Sequence, residues 1–190
     1  GKLQVEGGAS INGQFVASRP DAGLYAFAVG TNAGGSGQET YATAVGPNAG
    51  YVNQAASATA VGSSAGKTTQ GASSVAVGYL AGQSNQGSFA VGIGRDAGGT
   101  NQSQYAVSMG YLAGRTGQGA NSIAIGNQAG RNNQGANGII INSGGDVLDD
   151  TKPNHIVIRS GPNRSLSYNG SDTWTFAGGV VNGLSGFRQN

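Results

Sequence analysis

The sequence predicts an all-β protein, a parallel β-solenoid of about seven 16-residue coils. Three observations support this prediction. Glycine recurs at 16-residue intervals from Gly30 to Gly126, with no insertion or deletion. The residues just before each of these anchor glycines are mostly β-branched, which favours extended strands. Glycine also makes up 37 of the 190 residues. Two or more glycines in every repeat disfavour a helix, in which each costs about 1 kcal/mol.

Each repeat begins with a three-residue strand that ends just before the anchor glycine. The first and third positions are mostly apolar, as in Val75 and Val77, and a spacing of two residues places them on one face of the strand. The middle position is small in most copies, as in Ala76. This pattern indicates that another layer of backbone closely approaches the opposite face. A tight turn, a second extended segment and a return turn then complete the coil.

Three further positions recur in every repeat. A second glycine, preceded by alanine, follows each anchor glycine after four residues, and glutamine follows it after eight residues. Stacked coils place equivalent residues about 4.8 Å apart, so buried amides can hydrogen-bond along the rod. The glycines are expected to have positive φ or to allow close packing. The glutamines of this predicted structural ladder are Gln38, Gln54, Gln70, Gln86, Gln102, Gln118 and Gln134.

The chain divides into three predicted regions. Residues 1–23 form an N-terminal β lead-in, and the solenoid extends over residues 24–142. The solenoid is predicted to end at Asn142, where asparagine replaces the anchor glycine. Residues 143–190 form a C-terminal β-rich module, with strands expected at 155–159, 165–168 and 173–176. Because large apolar residues are few, one chain buries only a thin core, and lateral association is expected to complete it.

Composition argues against several classes of partner. The net charge is only +2 and no basic run is present, so no nucleic-acid partner is expected. No apolar run is long enough to span a bilayer, so no membrane insertion is expected. Cysteine is absent, which excludes disulfides and thiolate metal sites.

Candidate receptor-contact residues are basic or aromatic residues that occur in only some copies of the repeat. They follow the anchor glycine after one or five residues. For the basic residues the alternative is a solvated position that keeps a rod of low charge soluble. For the tyrosines the alternative is packing against each other, between coils or across chains. The six candidates are Lys67, Tyr79, Arg95, Tyr111, Arg115 and Arg131.

No catalytic residue, metal site or cofactor is predicted, and the protein is expected not to be an enzyme. Four aspartates carry the carboxylates that glycoside hydrolysis or Ca²⁺ binding would use, but solvated turn positions are the expected role. His155, the single histidine, has no adjacent ligand in the sequence. The near-match to a dinucleotide motif at residues 92–97 is simply one copy of the repeat. The four aspartates are Asp146, Asp149, Asp150 and Asp172.

Two copies of the repeat resemble the head repeats of YadA-like trimeric autotransporter adhesins. They read SVAVGYLAG at residues 74–82 and SIAIGNQAG at residues 122–130. The return turn NQG at residues 85–87 and 133–135, and the segment SLSYNGSDTWTF at residues 165–176, are similar to segments of phage and other viral fibre proteins. Through the repeats, the resemblance covers residues 27–142, which are 116 of the 190 residues. It implies a left-handed parallel β-roll in a homotrimer.

The resemblance also implies a function. It indicates a structural and receptor-recognition component of a viral (phage) tail fibre, located in the virion. Its partners would be other fibre or virion proteins and a host cell-surface receptor. The alternative is the head domain of a bacterial trimeric autotransporter adhesin at the bacterial cell surface, and a third alternative is a polysaccharide depolymerase module. The units are longer than most adhesin head repeats and no heptad stalk is present in the sequence, which favours the viral fibre.

Overall fold

The computed structural model describes residues 23–160, 165–168 and 174–177. This part of the chain contains fourteen β-strands and no helix, which confirms the predicted all-β class. The predicted N-terminal lead-in lies outside the described residues, apart from Gly23.

Eleven of the strands form one long sheet. Its first nine strands are parallel, and each is paired with the next. They are β1 (Phe27–Val29), β2 (Thr43–Val45), β4 (Thr59–Val61), β6 (Val75–Val77), β8 (Val91–Ile93), β9 (Val107–Met109), β10 (Ile123–Gly126), β11 (Ile139–Asn142) and β12 (Ile156–Arg159). Two antiparallel strands, β13 (Ser165–Tyr168) and β14 (Trp174–Ala177), complete the sheet.

The second extended segment of each repeat builds a shorter parallel sheet. Its strands are β3 (Val52–Gln54), β5 (Thr68–Gln70) and β7 (Ser84–Gln86). Isolated parallel bridges continue the same alignment from Ser36 at one end to Asn132 at the other. The chain is therefore a parallel β-solenoid of about eight turns, where the sequence predicted about seven coils.

Small side chains line the inner face of the long sheet in most coils. The second residue of each of the nine parallel strands points inward, and Ala60 there is completely buried. It packs in one cluster with the alanine that precedes the second glycine of the repeat, Ala65, and with equivalent alanines of neighbouring coils. The first and third residues of these strands point outward instead. We call the two apolar columns that they form the outer face.

The recurrent glycines are required by close backbone contacts. Gly62, an anchor glycine, has φ +127°, and a Cβ atom there would lie 2.6 Å from the carbonyl oxygen of Gly78 in the next coil. Gly66, a second glycine, has φ +51°, and a Cβ atom there would lie 2.5 Å from Oε1 of Gln70. A side chain at either position would be strained and would collide with the stacked coil or with the buried glutamine.

Residues 143–155 form the last turn, although this segment lacks the glycine and glutamine pattern of the repeat. Asn142 is buried, and its Nδ2 atom donates to the carbonyl oxygens of Asn127 and Asp146, at 2.8 Å each. Leu148 forms a bridge with Ala129 and packs against the core cluster that contains Ile140. The long sheet thus continues through the predicted start of the C-terminal module, because β12 pairs with β11 in parallel.

Candidate functional site

The turn after each strand of the long sheet carries the candidate contact residues. A hydrogen bond closes this turn, for example from Ala97 N to Gly94 O at 3.4 Å. The residue directly after the anchor glycine stands at the outer corner of the turn, and backbone hydrogen bonds join adjacent coils there. Asp96 N donates to Tyr79 O, and Leu112 N donates to Arg95 O, at 2.9 Å each. Successive corner residues therefore stack in one column along the rod.

Three candidate residues meet in this column. The guanidinium carbon of Arg95 lies 5.8 Å from the ring centroid of Tyr79 and 5.6 Å from that of Tyr111. The arginine is thus held between two tyrosine rings, in an arrangement we call the Tyr–Arg–Tyr ladder. Both contacts are within the range of cation–π attraction, which contributes about 0.5–1 kcal/mol at exposed sites. The two tyrosines do not stack on each other, because the arginine of the intervening coil separates them.

The ladder is open to solvent. Tyr79 is 50% exposed, Tyr111 is 45% exposed, and the side chain of Arg95 is 61% exposed. The nearest acidic atom is Oδ2 of Asp96, 3.8 Å from Arg95 Nε, which is too far for a hydrogen bond. No protein group of the described residues accepts a hydrogen bond from Arg95. Its terminal nitrogens therefore remain available to an external acceptor.

The other three candidates form a discontinuous column on the far side of the same turn. Lys67 is separated from Arg115 by two coils, in which Gln83 and Gly99 occupy the equivalent position. Arg115 is exposed, whereas Lys67 and Arg131 are half-buried. Arg131 Nη1 donates to the side-chain oxygen of Gln128 at 2.9 Å. The structure therefore brings together only Arg115 and Arg131, in adjacent coils.

A second aromatic column lies at the corner that precedes each strand. The rings of Tyr25 and Tyr41 are stacked with their centroids 5.3 Å apart, and those of Phe89 and Tyr105 with their centroids 5.2 Å apart. All four side chains are exposed, and no cation stacks on any of them in the described part of the chain. The signal for this column in the sequence is the 16-residue distance that separates Tyr25 from Tyr41 and Phe89 from Tyr105.

The repeated glutamines lie inside the solenoid, where they are at most 3% exposed. Each Nε2 atom donates to a backbone oxygen of the opposite strand, as from Gln54 to Thr43 O at 2.8 Å. Amide-to-amide bonds also join neighbouring coils, as from Gln54 to Gln70 Oε1 at 3.1 Å. These bonds connect the two sheets and adjacent coils at once. Side-chain bonds of this kind join residues 38–54, 54–70, 86–102, 102–118 and 118–134.

Asp150 occupies the next position of the glutamine column. Its carbonyl oxygen accepts from Gly135 N at 2.9 Å, as the oxygen of Gln134 accepts from Gly119 N at 2.9 Å. The carboxylate of Asp150 contacts Nδ1 of His155, and both side chains are only 12% exposed. His155 takes the inward position that Gly138 holds one coil earlier, as the bond from Ile139 N to its carbonyl oxygen shows. The pair therefore closes the end of the glutamine column.

The remaining acidic candidates have structural contacts. The carboxylate of Asp149 accepts from the backbone N and the side-chain Nδ2 of Asn132, both at 2.8 Å. Asp146 Oδ2 lies 3.5 Å from Nη2 of Arg159. Asp172 lies outside the described residues. Within those residues, no group of three or more histidine, cysteine, aspartate or glutamate side chains could hold a metal ion.

Comparison of the chain with protein-family models, with curated proteins and with solved structures finds no match. The part of the chain that the structure describes also contains no helix of the length and hydrophobicity that a membrane crossing requires. Two exposed features of the described structure are left to indicate its function, namely the outer face and the Tyr–Arg–Tyr ladder.

Proposed function

We propose that the chain is a segment of a homotrimeric viral tail fibre, in which it acts as a structural rod and contributes to receptor recognition. The observation that carries this proposal is the outer face. Its strands are apolar at seven of nine first positions and at all nine third positions, or sixteen of eighteen in total. The two exceptions are threonines, so the outer face bears no charge.

The outer face is long and partly exposed in a single chain. Nine strands about 4.8 Å apart give it a length of about 38 Å. Large continuous apolar patches on a protein surface mark sites of protein–protein interaction. A second copy of the chain has the same coil spacing, so it can match this face coil by coil. The most exposed third-position side chains are Val29, Ile93, Met109, Ile125, Ile141 and Ile158.

A closed ring of identical rods around one axis covers the outer face of every chain, and closed symmetry prevents open-ended aggregation. The number three and the left-handed sense of the coil rest on the resemblance to YadA-like head repeats. In this assembly we expect the corner residues to stay at the surface, where each is presented once per chain. Weak contacts repeated in this way gain avidity for a host cell surface.

The assembly is tested by light scattering of the purified chain. The expected mass is three times 18.7 kDa, or about 56 kDa. Ile125→Asp places a charge on the outer face and is expected to give a folded monomer, with its β-sheet circular dichroism retained. Gln104→Asp introduces the same side chain at an exposed position outside this face and is expected to remain a trimer. An unmodified chain that is monomeric at micromolar concentration contradicts the proposal.

Cellular context is tested separately. Antibodies against the chain are expected to label the tail fibres of virus particles in electron micrographs. Labelling confined to the surface of bacterial cells would instead support the head domain of a trimeric autotransporter adhesin. A depolymerase module finds little support, because Asp149 and Asp150 are both engaged by neighbouring groups. Release of oligosaccharides from a host capsule by the purified chain would support the depolymerase module instead.

A further inference from the structure

We infer that the Tyr–Arg–Tyr ladder is a binding site for an acidic saccharide, with Arg95 holding the oxyanion of the sugar. This inference rests on the proposed role in receptor recognition, and it names the chemical class of the receptor. The site consists of Tyr79, Arg95 and Tyr111 at the corners of three successive coils.

The guanidinium of Arg95 already lies between two aromatic rings before any ligand arrives. Rings on both sides restrict its movement, so less side-chain freedom is lost when a ligand binds. A guanidinium presents its N–H groups as a planar fork that matches the two oxygens of a carboxylate, and sulfate or phosphate oxygens equally. In Arg95 this fork has no acceptor among the described residues, and most of the side chain is exposed.

The flanking tyrosines suit a sugar better than a free inorganic anion. Tyr79 and Tyr111 are two coils apart, which corresponds to about 9.6 Å along the rod. Both are about half exposed, and no described residue forms a hydrogen bond with either hydroxyl group. Each tyrosine therefore offers an apolar ring and a hydroxyl group beside the cation. An acidic sugar has the matching set of groups, namely an oxyanion, hydroxyls and apolar C–H surface.

The charge of the site argues against a nucleic acid. Binding along a phosphate backbone needs several cations in sequence. The ladder contains one cation, and Asp96 lies 3.8 Å from it. Its positive field is therefore weak, and the chain as a whole has a net charge of only +2. A ligand with one oxyanion per sugar unit, bound weakly at each site and held by many sites, fits these charges.

The test measures binding of the full chain to immobilised polysaccharides by surface plasmon resonance. Polygalacturonate supplies carboxylates, dextran sulfate supplies sulfates, and uncharged dextran is the control surface. The chain is expected to bind at least one charged polymer and not dextran. The arm with the tighter binding identifies the oxyanion. Equal binding to dextran, or no binding to either charged polymer, overturns the inference.

Variants locate the binding on the chain. Arg95→Ala is expected to weaken binding about tenfold or more, because it removes charge-assisted hydrogen bonds. Arg95→Lys is expected to retain part of the affinity, since lysine keeps the charge but lacks the planar fork. Tyr105→Ala, in the aromatic column without a cation, is the matched control and is expected to bind normally. Unchanged binding by Arg95→Ala overturns the inference, and light scattering verifies that each variant keeps its assembly.

The outcomes separate this inference from the proposed function. The saccharide site alone is overturned if the chain is trimeric, is found on virus fibres by antibody labelling and blocks viral adsorption, but its Arg95→Ala variant blocks adsorption equally well. A monomeric chain that is absent from virions and yet binds acidic polysaccharide through Arg95 overturns the fibre proposal alone.

Discussion

Replacement of Gln54 by leucine tests whether the buried glutamines hold the solenoid together. Gln54 is fully buried, and its Nε2 atom donates to Thr43 O at 2.8 Å, to Ala58 O at 3.3 Å and to Gln70 Oε1 at 3.1 Å. Its own Oε1 atom accepts from Gln38 Nε2 at 3.1 Å. Leucine has nearly the same size but makes none of these bonds. In the described structure, Gln70 Oε1 then loses its only donor.

The magnitude follows from these contacts. A buried acceptor without a partner costs about 1–3 kcal/mol, and each of the other three lost bonds costs about 0.5–1.5 kcal/mol. Burial of the more apolar leucine side chain offsets about 1–2 kcal/mol of this loss. The free energy of unfolding is therefore expected to fall by about 3.5 kcal/mol at mid-range, between limits of about 0.5 and 6.5 kcal/mol. For a chain of this length, the mid-range value corresponds to a fall in Tm of about 7–14 °C.

Urea denaturation followed by circular dichroism, at one fixed protein concentration, measures this change. The concentration must be fixed because self-association adds to the apparent stability. Gln104→Leu is the matched control, since this glutamine is exposed, and its cost is expected to stay within about 0.5 kcal/mol. In the double variant Gln54→Leu/Gln70→Leu the unpaired oxygen is removed, so its cost should be less than the sum of the two single costs. Equal stability of the Gln54→Leu and Gln104→Leu variants, or strict additivity, would refute the reasoning.

Three further predictions concern other parts of the solenoid. Gly66→Ala is expected to destabilise the fold by several kcal/mol, because strain at positive φ adds to a clash with a ladder glutamine. Gly145→Ala is the control, because no atom lies within 4 Å of its new Cβ, and it should have little effect in the same urea titration. Ile140→Ala removes the largest apolar side chain that is fully buried and should cost about 2–5 kcal/mol, measured as a lower urea midpoint. His155→Ala leaves the mostly buried carboxylate of Asp150 without the imidazole and should lower the free energy of unfolding by about 1–3 kcal/mol. Amide hydrogen exchange should accelerate first in residues 143–155, and acceleration that is uniform along the chain would contradict a role confined to this end.

The repeating part of the fold could be predicted because the constant 16-residue spacing sets both the strand register and the direction of each side chain. The constant interval between repeats sets the strand register, as the pairing of Val75 with Val91 and of Val91 with Val107 shows. The small middle residue of each strand indicates which face is covered by another layer, and Ala76 is indeed fully buried. These features follow from local chemistry repeated at constant intervals, which stacking reproduces in every coil.

The last turn could not be predicted in the same way. Residues 143–155 carry no copy of the repeat, yet the backbone of Asp150 continues the hydrogen-bond pattern of the glutamine column. The interval between paired strands lengthens there by one residue, since Ile123 pairs with Ile139 but Ile139 pairs with Ile156. The repeat motif stops before this turn, so the sequence pattern cannot predict it. The turn forms because the backbone N–H and C=O groups at the edge of β11 still need hydrogen-bond partners, which β12 supplies.

The sequence alone determined the class of fold, the period of the solenoid and the identity of the residues that differ between coils. Only the tertiary structure decided how those residues combine. The same position in three successive repeats holds Tyr79, Arg95 and Tyr111. Their identity and spacing did not indicate whether the two rings would contact each other or enclose the arginine. The physical reason is that contacts between coils depend on side-chain rotamers and on the stacking distance at one corner. Residue size in the sequence distinguishes the outer face from the interior, but only the position of the guanidinium between two rings makes the ladder a candidate site.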